Sequence, residues 1–305
     1  MNASHIELPP ARILHVTEEE YFADPCETPS LTQSIAKLLL ANSPLHAWSA
    51  HPRLGGAPVE DEAENEDDEE SESPSDAVSD GKVLHSLMLG QGVDVVVINE
   101  DSFRKKTARA ARDEARAAGK VPMIAAKYDL LVKAAGRLRD RLAAAGYPLN
   151  GESEVAIEWY ERGENGPVVC RCRMDHVFMT EGRIYDIKKV RSAHPEKIAR
   201  NFVDYGYDIQ QAAYPRALAA LNPKLQGRVD FTFLYMESVP PYSIVPAGPD
   251  GAFREIGLMR WLRAVKLWER CLATNYWPGY TDTKVTLQAP LYVVQREIGN
   301  APDSL

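Results

Sequence analysis

Apolar and polar residues alternate in two runs between residues 168 and 190, VVCRCRMDHVF and RIYDIKKV, on either side of Thr180-Glu181-Gly182. A period of two across a glycine-containing turn predicts two strands joined as a hairpin. Side chains two apart on a strand share a face, so Cys170, Cys172 and Met174 fall on one side and Arg171, Arg173 and Asp175 on the other. On the second strand Ile184, Asp186 and Lys188 line one face by the same rule. The alternation recurs over residues 154–160, which predicts a preceding strand with Glu154, Ala156 and Glu158 on a common face. Further strands are expected at 92–99 and 229–236, with 242–245 pairing back on the latter. A short extended segment falls near 12–16, followed by a turn at 21–25.

Elsewhere the apolar spacing is helical. Residues 32–40 have a hydroxyl cap at Thr32, and Ser43-Pro44 opens a short helix carrying His46 and Trp48. Residues 81–90, GKVLHSLMLG, predict a buried helix with one histidine, His85. Residues 103–120, FRKKTARAARDEARAAGK, predict an alanine-rich helix stopped at Gly119, and 125–145 a second. One long helix is expected over 195–221, placing Gln210 and Tyr214 on one side at a spacing of four, with Pro215 as a kink. The last helix, 251–274, carries Trp261 and Trp268.

Charge changes this picture in one place. The net charge is −9, yet residues 60–80 hold twelve acidic and no basic residues, so the rest of the chain stands at +3. Such a run cannot bury enough apolar surface to order itself, which predicts a disordered insertion over 57–80. The chain then divides into a helical part at 1–56, the insertion at 57–80 and a core at 81–305, the first and last forming one domain. A hydrophobic content of 45% in 305 residues supports a substantial core. No apolar run approaches the length of a membrane span, and neither end carries a targeting or lipidation signal, which predicts a soluble, cytoplasmic protein. The four cysteines are too scattered for a disulfide framework or for the closely spaced ligands of an iron–sulfur cluster, and free thiols are expected.

The chemistry lies in the hairpin. If it sets Asp175 beside Asp186, two carboxylates and the Lys188 ammonium converge, the set needed for magnesium-assisted phosphodiester hydrolysis. A solvated Asp-x-Lys pair is the plainer reading of that motif alone. On the 103–120 helix Arg104, Lys105, Lys106, Arg109 and Arg112 outnumber Asp113 and Glu114, a local bias suited to DNA phosphates, although solubility alone would also explain it.

Taken in order, His85, Asp175, Asp186-Ile187-Lys188 and Gln210-x-x-x-Tyr214 resemble the PD-(D/E)XK nuclease superfamily in its RecB-like branch. More closely, the chain resembles the C-terminal nuclease of phage-derived RecE-type exonucleases. The resemblance extends over most of the chain outside the acidic insertion, from residues 31–48 through 154–190 to 277–280. It implies an α/β (α+β), restriction-endonuclease-like core with a central mixed sheet flanked by helices. It implies His85, Asp175 and Asp186 as metal ligands with the Ile187 carbonyl, Lys188 beside the attacking water, and Gln210 and Tyr214 supporting the site or contacting DNA. Glu154 matches an acidic position in the outer shell. The metal would be Mg2+, with Mn2+ able to substitute.

The implied activity is digestion of linear double-stranded DNA from its ends, 5′ to 3′, in phage-type recombination. The implied partners are a ring-like homo-oligomer and a single-strand annealing protein, in a bacterial or phage-infected cell. Two departures stand out: Met174 occupies a position where the family often has proline, and Lys189 one where a small hydroxyl residue is common. Two other readings stay open, a catalytically silent DNA- or partner-binding module on the same fold, and an acidic DNA mimic working through residues 60–80.

Overall fold

The computed structural model describes residues 7–56 and 74–297. The expected hairpin forms the middle of a six-stranded mixed sheet. From edge to edge its strands are β1 (Arg12–Leu14), β4 (Glu152–Arg162), β5 (Pro167–Phe178), β6 (Arg183–Val190), β7 (Asp230–Glu237) and β8 (Ile244–Ala247). All neighbours pair antiparallel except β6 and β7. A parallel pair needs a crossover, and α7 (Pro195–Asn201) and α8 (Tyr207–Leu221) supply it. A separate parallel pair, β2 (Val95–Ile98) and β3 (Val121–Ile124), is bridged by the basic helix α5 (Lys106–Ala117).

Both faces of the sheet are covered, as the apolar content requires. On one side α2 (Gln33–Ala41), α8 and α9 (Gly251–Thr274) bury Ile35, Leu39, Trp159, Met174, Phe233 and Trp261 in the main core. Trp159 and Trp261 stack with centroids 5.8 Å apart. On the other side Leu84 and Met88 of α4 (Pro74–Leu89) and Leu138 and Leu142 of α6 (Ala125–Ala144) pack on Phe178, Tyr185, Ile187 and Leu234. Each fully buried side chain of this kind contributes about 1.5–3 kcal/mol. Short helices α1 (Glu18–Phe22) and α3 (Pro44–Ala50) flank β1 and α2, and α10 (Leu291–Glu297) stands exposed near the end of the chain.

Four expectations shift. The helix expected over 195–221 is two helices, because Gly206 takes a left-handed φ of 72° and Lys37 packs 3.2 Å from where a Cβ would stand. Tyr21 and Phe22 belong to a helix rather than a turn, since Thr17 and Glu20 form a reciprocal capping box in front of them. The basic helix starts at Lys106, leaving Arg104 and Lys105 before it. The helix expected from Gly81 already begins at Pro74, within the segment read as disordered, while residues 57–73 lie outside the described residues. Cys26, Cys170, Cys172 and Cys271 are buried free thiols. Among the described residues, no helix is long and apolar enough to cross a membrane.

Two buried polar networks tie loops to this sheet. Glu161 accepts from Trp159 Nε1 (3.1 Å), Trp261 Nε1 (3.0 Å) and Arg216 Nε (2.7 Å). Asp24 accepts from the Ser30 backbone and hydroxyl, both at 2.9 Å, and stands 3.0 Å from Arg171 Nη1 and 3.2 Å from His51 Nε2. Burial alone would raise its pKa, but His51, Arg171 and Ser30 outweigh it and hold the carboxyl at about 2.

Candidate metal centre

The regular alternation of β4 and β5 breaks at one level. Val155 faces Met174 and Ser153 faces His176, but the intervening pair, Glu154 and Asp175, is missing from the ladder. Glu154 takes φ 56°, a left-handed conformation that a residue with a Cβ seldom adopts. Met174 packs in the main core, whereas Asp175 meets α4 and the adjacent His176 ring stacks on Tyr185 of the opposite core. Two successive side chains thus turn to the α4 side of the sheet. Beyond His176–Tyr185 the pairing of β5 with β6 also stops, and Asp175 Oδ2 takes the Ile187 N–H at 2.8 Å in place of a ladder bond.

This break, together with α4, gathers a donor set. His85 Nε2 lies 3.2 Å from Asp175 Oδ2, and ligand atoms of His85, Glu154 and Asp175 all lie within 4.8 Å of one another. An imidazole nitrogen and two carboxylates so gathered would hold a divalent ion. Burial would lower the His85 pKa, yet the Asp175 hydrogen bond and charge raise it. Burial would raise the Asp175 pKa, but the His85 bond, with help from Lys188 and the Ile187 N–H, depresses it. Glu154 is raised by burial and by the Asp175 charge, against the pull of Arg173 at 2.9 Å. The three groups therefore hold an excess of negative charge in a desolvated place, the condition a cation relieves.

Asp186 lies on the other side of β6. Its Oδ2 accepts from Gln210 Nε2 of α8, and its Oδ1 stands 2.6 Å from Lys188 Nζ without hydrogen-bond geometry. It is not part of the donor set. Burial and the Asp175 charge raise its pKa despite Lys188. Burial would lower Lys188, but Asp186 raises it and keeps the ammonium charged, 4.9 Å from the Tyr207 ring centroid. Tyr214 is buried against Phe231 at 5.9 Å, and the side chain of Ile187 belongs to the core under α4. The structure therefore joins His85, Asp175 and the Ile187 N–H with Glu154, and sets Asp186, Lys188 and Gln210 together one strand away.

A cleft of about 1080 Å³ opens over the donor set and includes Lys188 in its lining. Lys37, Lys82, Lys189 and Arg173 also line it, none of which sequence reasoning had assigned to the site. Arg173 had left a signal by sharing a strand face with Asp175, and Lys189 by departing from the family pattern beside Lys188. Arg104, Lys105, Lys106, Arg109 and Arg112 do not line the cleft. Lys105 instead pairs with Glu100 at 2.6 Å, Arg112 with Asp113 at 2.8 Å, and Arg109 donates to the Phe103 carbonyl.

A mixed sheet between helices, broken at an acidic pair beside an Asp-x-Lys strand, defines a protein of the PD-(D/E)XK superfamily. The profile of the family described as "PDDEXK-like domain of unknown function (DUF3799)" matches residues 49–287, and the chain belongs to that family. Among solved structures it is similar to a protein of Eubacterium rectale titled "Putative exonuclease", at 14% identity and TM-score 0.52, over 94% of this chain and 99% of that one. A weaker likeness, at 12% identity and TM-score 0.28, is to the structure titled SSO0001, over 65% of this chain and 87% of that one. No curated protein matches the sequence.

Proposed function

We propose that this protein is a divalent-metal-dependent nuclease that hydrolyses phosphodiester bonds of DNA. The observation that carries the reading is the grouping of His85, Glu154 and Asp175 in a basic cleft with Lys188 at its floor. His85, Glu154 and Asp175 would hold the ion. A metal there supplies charge neutralisation at the phosphate and a bound water of lowered pKa. Lys188, kept protonated by Asp186, acts as a fixed cation toward the non-bridging oxygens rather than as a base. Gln210 holds Asp186, and so Lys188, in place. In the reaction the water oxygen bonds to phosphorus and gives a proton to bulk water, the bond to the leaving sugar oxygen breaks, and that oxygen takes a proton from bulk water.

The finer reading is digestion of linear double-stranded DNA from its ends, 5′ to 3′, by a RecE-type exonuclease serving phage-type recombination. A homo-oligomer and a single-strand annealing partner belong to the same reading, as does Mg2+ as the metal. The words "Putative exonuclease" for the Eubacterium rectale protein support the exonuclease part of this reading alone. End-labelled linear duplex and a closed circle are incubated with Mg2+, with Mn2+ and with chelator. Loss of the linear form alone, only with metal, supports an exonuclease, and the end from which label is released gives polarity. Binding without cleavage would leave a silent module. Absence of DNA binding would sink the nuclease reading.

A further inference from the structure

We propose that Phe22 is a stacking platform for a base of an unpaired DNA strand, so that the strand lies in the cleft with bases toward α1 and phosphates toward the lysines. This rests on the nuclease reading above. Phe22 is 58% exposed and lines the same cleft as Glu154 and Asp175. It is held from two sides. Its ring packs edge-on against Tyr21 at 5.5 Å, and the Arg173 guanidinium lies 5.3 Å from its centroid. The same guanidinium reaches Glu154 at 2.9 Å and Glu18 at 3.1 Å, so one side chain ties the ring to the donor set.

Electrostatics sort the two sides of a strand. The first turn of α1 is Glu18, Glu19 and Glu20, with Glu18 in the cleft wall, and this end repels phosphate. Lys37, Lys82, Lys188 and Lys189 line the rest and attract it. What remains for the α1 side is the uncharged base, and Phe22 offers it an aromatic ring. In an intact duplex each base face is covered by its neighbours. A platform of this kind therefore takes a base that has left the stack, at a frayed end or in a single strand.

The test measures binding of a short labelled single strand by fluorescence anisotropy in chelator, so that no cleavage intervenes. Phe22→Leu keeps an apolar contact with Tyr21 but removes the ring, and Phe22→Trp keeps a ring. The expected result is a loss of affinity of roughly 5- to 150-fold for Phe22→Leu, the equivalent of one base–aromatic stack, and little loss for Phe22→Trp. An abasic nucleotide moved along the strand should reproduce that loss at one position with the parental protein and add nothing with Phe22→Leu. Parental affinity in Phe22→Leu, or a flat abasic profile with the parental protein, overturns the proposal. If the parental protein binds and digests DNA under that outcome, stacking alone has failed. If it neither binds nor digests DNA, the nuclease reading has failed with it.

Discussion

Two Asp–His pairs in this molecule have the same separation and opposite surroundings. Asp24 and His51 are 3.2 Å apart, fully buried, and joined by Arg171 and Ser30, so the carboxylate has donors on every side. Asp175 and His85 are also 3.2 Å apart, but their neighbours include Glu154, and the pair opens on a cleft. The first site has positive charge enough to satisfy its acid. The second sets two carboxylates side by side, partly countered by His85 and Arg173, on a cleft that a cation can enter. Distance between partners thus says little about role, whereas the balance of charge around them says a great deal.

The sharpest way to break the comparison is to neutralise one acid of each kind. Asp175→Asn should lower DNA cleavage by more than roughly a thousandfold, since it removes a charge that holds the metal and its partner. Its melting temperature should stay near that of the parent. Lys188→Ala should lose roughly a hundred- to a thousandfold in rate while still binding metal, as measured by calorimetry. Parental rates in both variants would refute the site.

Asp24→Ala should show the converse. It strands Arg171 in the interior and should cost about 3–5 kcal/mol in denaturant unfolding, with the cleavage rate per folded molecule retained. A stable Asp24→Ala would mean that the first network is ornamental.

Metal itself should stabilise only through the second site. Magnesium at a hundred times its dissociation constant should add about 2.7 kcal/mol, seen as a rise in melting temperature that chelator reverses. Glu154→Gln should abolish that rise, and Asp24→Ala should keep it.

Acid should separate the structural groups by pH. Burial, then the Arg139 charge, hold His176 down at about 4, so the folded protein keeps it neutral while the unfolded chain binds a proton below about 6.5. That contribution is fully present above 6.5 and falls as pH drops towards 4, a loss of about 2 kcal/mol by pH 5. Asp24, depressed to about 2, gives a contribution present above its ordinary value near 3.8 and lost as pH falls towards 2. Unfolding curves from pH 7 to 3 should therefore show two limbs. His176→Gln should flatten the first alone.

The strands were legible because each face of β4, β5 and β6 meets a different core, and alternation follows directly. Asp175, Asp186 and Lys188 could be singled out because their spacing on those strands is itself chemical. What stayed hidden depends on tertiary packing. The break at Gly206 looks helical in sequence because Tyr205 and Tyr207 continue the apolar pattern. Glu154 was expected in the outer shell, but its grouping with His85 and Asp175 could not be foreseen, since nothing about a glutamate announces a left-handed backbone. The cleft lysines come from three elements, and no local pattern joins Lys37 to Lys82 or Lys189. The bias of α5 was real in composition, yet none of its residues lines the cleft.

The conformation of Glu154 also bears on how this chain can change. A residue with a Cβ held at φ 56° carries a conformational penalty of order 1–3 kcal/mol, which glycine or asparagine would largely escape. Under selection for robustness alone, that position should drift to one of those two. Its present occupant then marks a place where a sturdier molecule is always one substitution away, and where taking that step would forfeit an acid of the proposed centre.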